Sequence, residues 1–150
     1  MAYTIIERPA FQVMGIAVRT DNAHAQENIG GLWQRFKEEK ATTKIPHKSS
    51  EEVFGLYTDY ESDHNGLYTL VVGCAVDKVE EIPAGFAIKN VSAAKFAHFV
   101  AAGPHPMALV STWMEVWSSG LDRTFMSDYE VYGSQFAEQP PVVNLYIAIK

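Results

Sequence analysis

Glu130 stands in the run Tyr129-Glu-Val-Tyr132. An extended backbone sends alternate residues to opposite faces, so Glu130 and Tyr132 share one side while Tyr129 and Val131 share the other. A carboxylate set among phenol rings and shielded from water has its charged form destabilised until a cation arrives. Aromatic faces add an attraction for ammonium and delocalised cations of about 0.5–2 kcal/mol each. Spacing alone fits two outcomes, a desolvated cation trap or a glutamate that faces water from its strand. Other reactive groups are not arranged for chemistry. His24, His47, His64, His98 and His105 show no i,i+3 or i,i+4 pairing, and Cys74 has no Cys-x-x-Cys companion, so no metal site is expected. Neither a Gly-x-Ser-x-Gly elbow nor a glycine-rich phosphate loop with a following lysine occurs, so nucleophilic hydrolases and nucleotide binders lack their local signatures, and no cofactor is expected.

The last strand shows how the chain must hold these side chains. Val143, Leu145, Ile147 and Ile149 form one apolar side, whereas Val142, Asn144, Tyr146 and Ala148 mix a tyrosine with small or polar neighbours, as expected of a surface that leaves room for a ligand. Further back, Val13–Val18 reads as a strand, and Ile29, Leu32, Trp33 and Phe36 repeat at helical spacing within a predicted helix Ala23–Lys40. Gly30 and Gly31 in that helix read as sites of close backbone packing or ligand approach. Val53–Tyr60 and Leu67–Val76, separated by Asp63-His-Asn-Gly66, predict a hairpin. The second half repeats the order, with a strand at Ala93–Val100, a helix at Pro106–Ser119 carrying Leu109, Trp113, Val116 and Trp117, and strands at Asp128–Ser134 and Val142–Ile149. Trp33, Phe36, Trp113 and Trp117 serve first as the apolar stripes of the two helices, with some of them at a pocket's edge.

Phe54-Gly-Leu-Tyr57 parallels Tyr129-Glu-Val-Tyr132, and Leu67–Val76 parallels Val142–Ile149. The chain therefore reads as one α+β domain over 1–150, built from two β-α-β-β repeats at about 1–80 and 84–150 and joined through Asp77–Pro83. Packed in pseudo-twofold fashion, such units leave a groove along their seam, a common place for ligands. Charge and composition narrow the partners. Eighteen acidic against 12 basic residues give a net charge of −6, the wrong sign for neutralising phosphates, so direct nucleic-acid binding is not expected. Glu7, Arg8 and Pro9 interrupt any signal-peptide core, no apolar run reaches bilayer length, and the single cysteine lies in an apolar stretch, which together predict a cytoplasmic protein with no membrane segment.

Several motifs resemble those of the gyrase-inhibitor-like (GyrI-like) small-molecule-binding domains, which also serve as effector-binding domains of AraC-type and multidrug-sensing transcription regulators. Val91-Ser-Ala-Ala-Lys-Phe-Ala-His-Phe-Val-Ala-Ala-Gly103 resembles the family's P-a-G-x-Y-a-v-f-x-h-x-G strand, with Ala94 in place of glycine and Phe96 in place of tyrosine. Ser119-Gly120 resembles its helix exit, Tyr129-Glu-Val-Tyr132 its F-E-x-Y strand, and Phe54-Gly-Leu-Tyr57-Thr-Asp59 its y-g-v-Y-y-D pattern. The resemblance implies a curved antiparallel sheet with two main helices, a central ligand cleft, and lipophilic, often cationic, aromatic ligands. Glu130 falls at the family's glutamate, and Tyr57 and Tyr132 at its motif aromatics, with Tyr68, Trp113, Trp117 and Tyr146 as further lining residues. No helix-turn-helix precedes the first predicted strand, so the expectation is a stand-alone binding domain. Two alternatives follow from relatives. One is a hydrolase of cyclopropane-containing electrophiles in which Glu130 activates water. The other is an inhibitor that docks on a topoisomerase through acidic residues such as Glu51, Glu52, Asp59, Glu61 and Asp63.

Overall fold

The computed structural model describes residues 3–150. Its elements are β1 (Tyr3–Arg8), β2 (Phe11–Thr20), α1 (Ala25–Glu38), β3 (Val53–Thr58), β4 (Tyr68–Val76), β5 (Ala87–Val91), β6 (Ala94–Ala102), α2 (Met107–Ser118), β7 (Ser127–Tyr132) and β8 (Val142–Ile149). The strands form one antiparallel sheet in the order β1-β6-β8-β7-β3-β4-β2-β5. Read from either end, the order is the same once the two halves are exchanged, which is the signature of a duplicated unit.

Each half carries one strand more than the sequence pattern reveals. β1 and β5 are the two outer edges, and β1 needs no regular alternation because both its faces reach solvent. Ile5 and Ile6, adjacent in β1, are 60% and 39% exposed, so no period of two is written there. Each edge strand completes the opposite half, β1 on β6 and β5 on β2, and so ties the repeats together.

The sheet is strongly curled. Phe11 of β2 and Tyr129 of β7 lie three strands apart, about 14 Å in a flat sheet, yet their ring centroids are 5.2 Å apart. From the other edge, Arg8 Nε donates to Tyr129 Oη at 3.1 Å. Both edges therefore bend toward Tyr129, and the concave face is filled by an apolar cluster that includes Val13, Leu56, Val71, Phe96, Tyr129 and Tyr146. At the directly paired Gly15 and Gly73 a β-carbon on either residue would collide with the carbonyl oxygen of Val72 or Met14, so only glycine allows the backbones to cross this closely.

Both helices cover the other face. α1 buries Leu32 and Phe36 against Ile16, Leu70 and Val72, and α2 buries Leu109 and Val116 against β6 and β8, while Trp113 packs where these clusters meet. Gly30 and Gly31 do not serve close packing: a β-carbon at either would meet open space. The expected β-α-β-β order is present inside each half, and the central pair of strands, β3 and β7, comes one from each repeat.

Candidate functional site

At the centre of the sheet Gly55 pairs directly with Glu130. Phe54-Gly-Leu-Tyr57 and Tyr129-Glu-Val-Tyr132 are the corresponding runs of the two repeats, so the pseudo-twofold axis passes through this pair and Tyr57 and Tyr132 flank it symmetrically. The missing side chain at Gly55 makes room for the carboxylate: a β-carbon there would lie 2.9 Å from Glu130 Oε1 and 3.5 Å from Trp33 Cζ2.

Glu130 is 2% exposed, points to the helical face, and is held by three donors. Tyr132 Oη donates to Oε1 at 2.7 Å, and Tyr57 Oη and Trp113 Nε1 donate to Oε2 at 3.0 and 2.7 Å. Among the described residues no lysine or arginine pairs with it. Burial pushes its pKa above the ordinary carboxylate range, opposed by the hydrogen bonds from Tyr132, Trp113 and Tyr57. The two phenols are pushed well above their usual range, first by burial and then by the adjacent carboxylate, so both stay protonated as donors. The arrangement suits an anion that lacks a counter-charge.

A cavity of about 150 Å³ opens beside this anion between α1 and α2. Its walls include Ile29, Tyr57, Tyr60, Tyr68, Trp113 and Trp117. Tyr57 and Trp113 thus present one side of their rings to the cavity while their polar atoms reach Glu130. The rings are mutually braced, Tyr57 against Trp113 with centroids 5.1 Å apart and against Tyr68 at 5.5 Å. Tyr68 Oη donates to Asn22 Oδ1 at 2.9 Å, and burial raises its pKa to about 12. Trp117 and Val110 stand at the mouth, 44% and 53% exposed.

The structure brings together Glu130, Tyr57, Tyr132, Trp113, Tyr68 and Trp117, although Tyr132 sits on the far side of the carboxylate, packed by Trp33, His105 and Phe136. Tyr146 is separate from them. It pairs with Tyr129, so it lies on the concave face, stacked on His98 with centroids 4.6 Å apart and covered by the Arg8 guanidinium at 4.5 Å. Period two correctly groups Tyr146 with Tyr129, but that side is the concave face away from the helices, where Tyr146 is buried among Tyr129, Phe96, His98 and Arg8. Residues not foreseen are Gly55, Tyr60, Arg123 and Asp128. Arg123 Nη2 donates to Asp128 Oδ2 at 2.7 Å, Tyr60 Oη donates to the same oxygen at 2.6 Å, and Asp128 Oδ1 accepts from Ala148 N at 2.8 Å. The sequence signal for this group was only a pair of opposite charges five apart, with Asp122, Thr124 and Ser127 around them. Among the described residues no three His, Cys, Asp or Glu side chains form a metal-holding group, and no helix is long and apolar enough to cross a membrane.

Known proteins share both the sequence and this architecture. Bacillus subtilis (strain 168) protein YobU is 31% identical over 144 residues, covering 91% of this chain and 90% of its own. The integron cassette protein VCH_CASS2 from the mobile metagenome of Vibrio cholerae superposes with a TM-score of 0.80 at 30% identity, covering 99% of this chain and 95% of that one. SAV2435, solved bound to tetraphenylphosphonium, has the same fold at a TM-score of 0.82 and 19% identity, over 100% of this chain and 94% of that one. Residues 4–149 match the family described as Cass2, integron-associated effector binding protein, and the chain belongs to that family of GyrI-like effector-binding domains.

Proposed function

We propose that this protein binds lipophilic aromatic cations, with Glu130 as the buried counter-charge and Tyr57, Tyr68, Trp113 and Trp117 as the lining. The observation that carries this reading is a fully buried carboxylate with three hydrogen-bond donors and no cationic partner among the described residues, one ring layer from an open cavity. Such a charge is destabilised by desolvation, and a cation entering from the cavity relieves that penalty where a neutral guest does not. The aromatic walls supply dispersion and quadrupole attraction to the same guest. A cavity near 150 Å³ holds about one aromatic ring, as engineered apolar cavities of that size hold benzene. Further rings of a larger guest then extend over Val110 and Trp117 at the mouth.

The test compares tetraphenylphosphonium with neutral triphenylphosphine oxide by thermal shift and calorimetry. The cation at about 100 times its Kd stabilises the native state by about 2.7 kcal/mol, a rise of roughly 5–11 °C for a domain of this size. The neutral compound gives a much smaller rise at equal concentration. Equal shifts for both, or conversion of the bound compound into product, overturns the reading.

A further inference from the structure

The cavity also has one charged wall residue that the Glu130 site leaves unused. Arg123 lines the cavity, is 8% exposed, and joins no group of the Glu130 cluster. One of its terminal nitrogens, Nη2, is engaged by Asp128, and its guanidinium carbon lies 4.3 Å from the centroid of the Phe125 ring. Nε and Nη1 are buried with no acceptor among the described residues. A guanidinium carries five N–H donors, and buried donors without acceptors are uncommon enough to need a reason. Asp128 accepts from Nη2 alone among the Arg123 nitrogens, its other bonds coming from Tyr60 and the Ala148 amide. Nε and Nη1 lie just behind the cavity wall that Arg123 helps to form, so a guest with an oxygen acceptor would reach them after a small turn of the guanidinium, and the Asp128 charge there is already paired.

We propose that the cavity is bipolar: its preferred guests carry an oxygen acceptor, best a carboxylate, that bonds Arg123 through Nε and Nη1 while the cationic aromatic part faces Glu130. The natural ligand class is then a zwitterionic or acceptor-bearing amphiphile, not a bare lipophilic cation. This rests on the Glu130 reading above for its cationic half and on Arg123 alone for the other.

Calorimetry on the intact chain tests it with triphenylphosphonium ions bearing an ω-carboxyalkyl arm, in a short series of arm lengths, each against its n-alkyl counterpart. A charge-assisted hydrogen bond in a buried site predicts that the acid of matching length binds about tenfold or more tightly than its alkyl partner. That comparison uses the unaltered protein and is independent of how substitutions fold. Arg123→Lys then keeps the pair with Asp128 but lacks the guanidinium's additional donors, and the ratio of acid to alkyl affinity falls to about one. If every acid binds no better than its alkyl partner, or if the advantage survives in Arg123→Lys, Arg123 is a structural ion-pair residue and the inference fails with the Glu130 reading intact. If neither member of any pair binds, the Glu130 reading fails as well.

Discussion

Replacing Glu130 by glutamine removes the charge and keeps the shape. The amide oxygen still accepts from Tyr57 and Trp113, and the Tyr132 hydroxyl can turn to accept from the amide nitrogen, so the pocket stays closed around the side chain. A guest's positive centre approaches from the far side of Tyr57 Oη and Trp113 Nε1, which stand 3.0 and 2.7 Å from Oε2. Adding a van der Waals contact of about 3.5 Å puts the charges roughly 6 Å apart. At an effective dielectric near 20 that separation is worth about 3 kcal/mol, and partial exposure of the cavity mouth trims it to about 2–3 kcal/mol. Tetraphenylphosphonium should therefore bind Glu130→Gln roughly 30- to 150-fold more weakly, and triphenylphosphine oxide should bind both proteins alike. Calorimetry at mildly alkaline pH, which favours the ionised carboxylate, measures both. The same substitution should raise the melting temperature of the unliganded protein at neutral pH, because the native state no longer holds a charge that burial disfavours. Undiminished cation binding by a folded Glu130→Gln would refute the electrostatic argument, whatever its stability.

Further expectations follow from the same geometry. Because burial raises the Glu130 pKa, the native state gains stability as pH falls through that raised value toward the ordinary carboxylate pKa; over this interval cation affinity declines while neutral-guest affinity stays level, which paired titrations across pH will show. Gly55→Ala places a β-carbon 2.9 Å from Glu130 Oε1, forcing the carboxylate off Tyr132. It should destabilise the fold by about 1–3 kcal/mol and weaken cation binding without changing any charge, as chemical denaturation and calorimetry together report. Gly30→Ala and Gly31→Ala, whose new methyl groups meet open space, should each stabilise α1 by up to about 1 kcal/mol, read from the denaturation midpoint at constant slope.

Period two carried much of the site into view from the residues alone. It put Glu130 and Tyr132 on one side of a strand, and the internal repeat placed Tyr57 at the matching position. Alternation says which residues share a side, however, and not which side the helices cover. That is why Tyr146, with small and polar neighbours along its parity, reads as pocket-lining although it packs inside the curl against Tyr129. The curl depends on contacts among strands distant in sequence, such as Phe11 with Tyr129 and Arg8 with Tyr129. The Arg123–Asp128–Tyr60 group was hidden for a related reason. Arg123 lies in irregular chain between α2 and β7, and Tyr60 just beyond β3, so no periodicity orients either of them. β1 escaped because an edge strand exposed on both faces carries no alternation, and β5 because its five residues, with Lys89 on the parity of Ala87 and Val91, show none.

The duplicated architecture also accounts for one buried glutamate, among the described residues, where symmetry would allow two. At the axis the repeats differ in the one way that matters: one contributes Gly55, which has no side chain, and the other contributes Glu130, which fills the space so provided. Two glutamates facing each other here would bury like charges in contact, and two glycines would leave no charge at all. Away from the axis the halves diverge again. Tyr57 borders the open cavity through Trp113 and Tyr68, whereas its counterpart Tyr132 is packed by Trp33, His105 and Phe136, with the Phe136 and His105 rings set edge-on to it at 5.2 and 5.9 Å. The carboxylate thus has one side braced by protein and one side turned toward the cavity. Bracing from the Tyr132 side fixes its position without supplying a counter-charge, so on the proposed reading a cation arriving from the Tyr57 side would meet an anion already oriented toward it, and little of its binding energy would go into rearranging the protein.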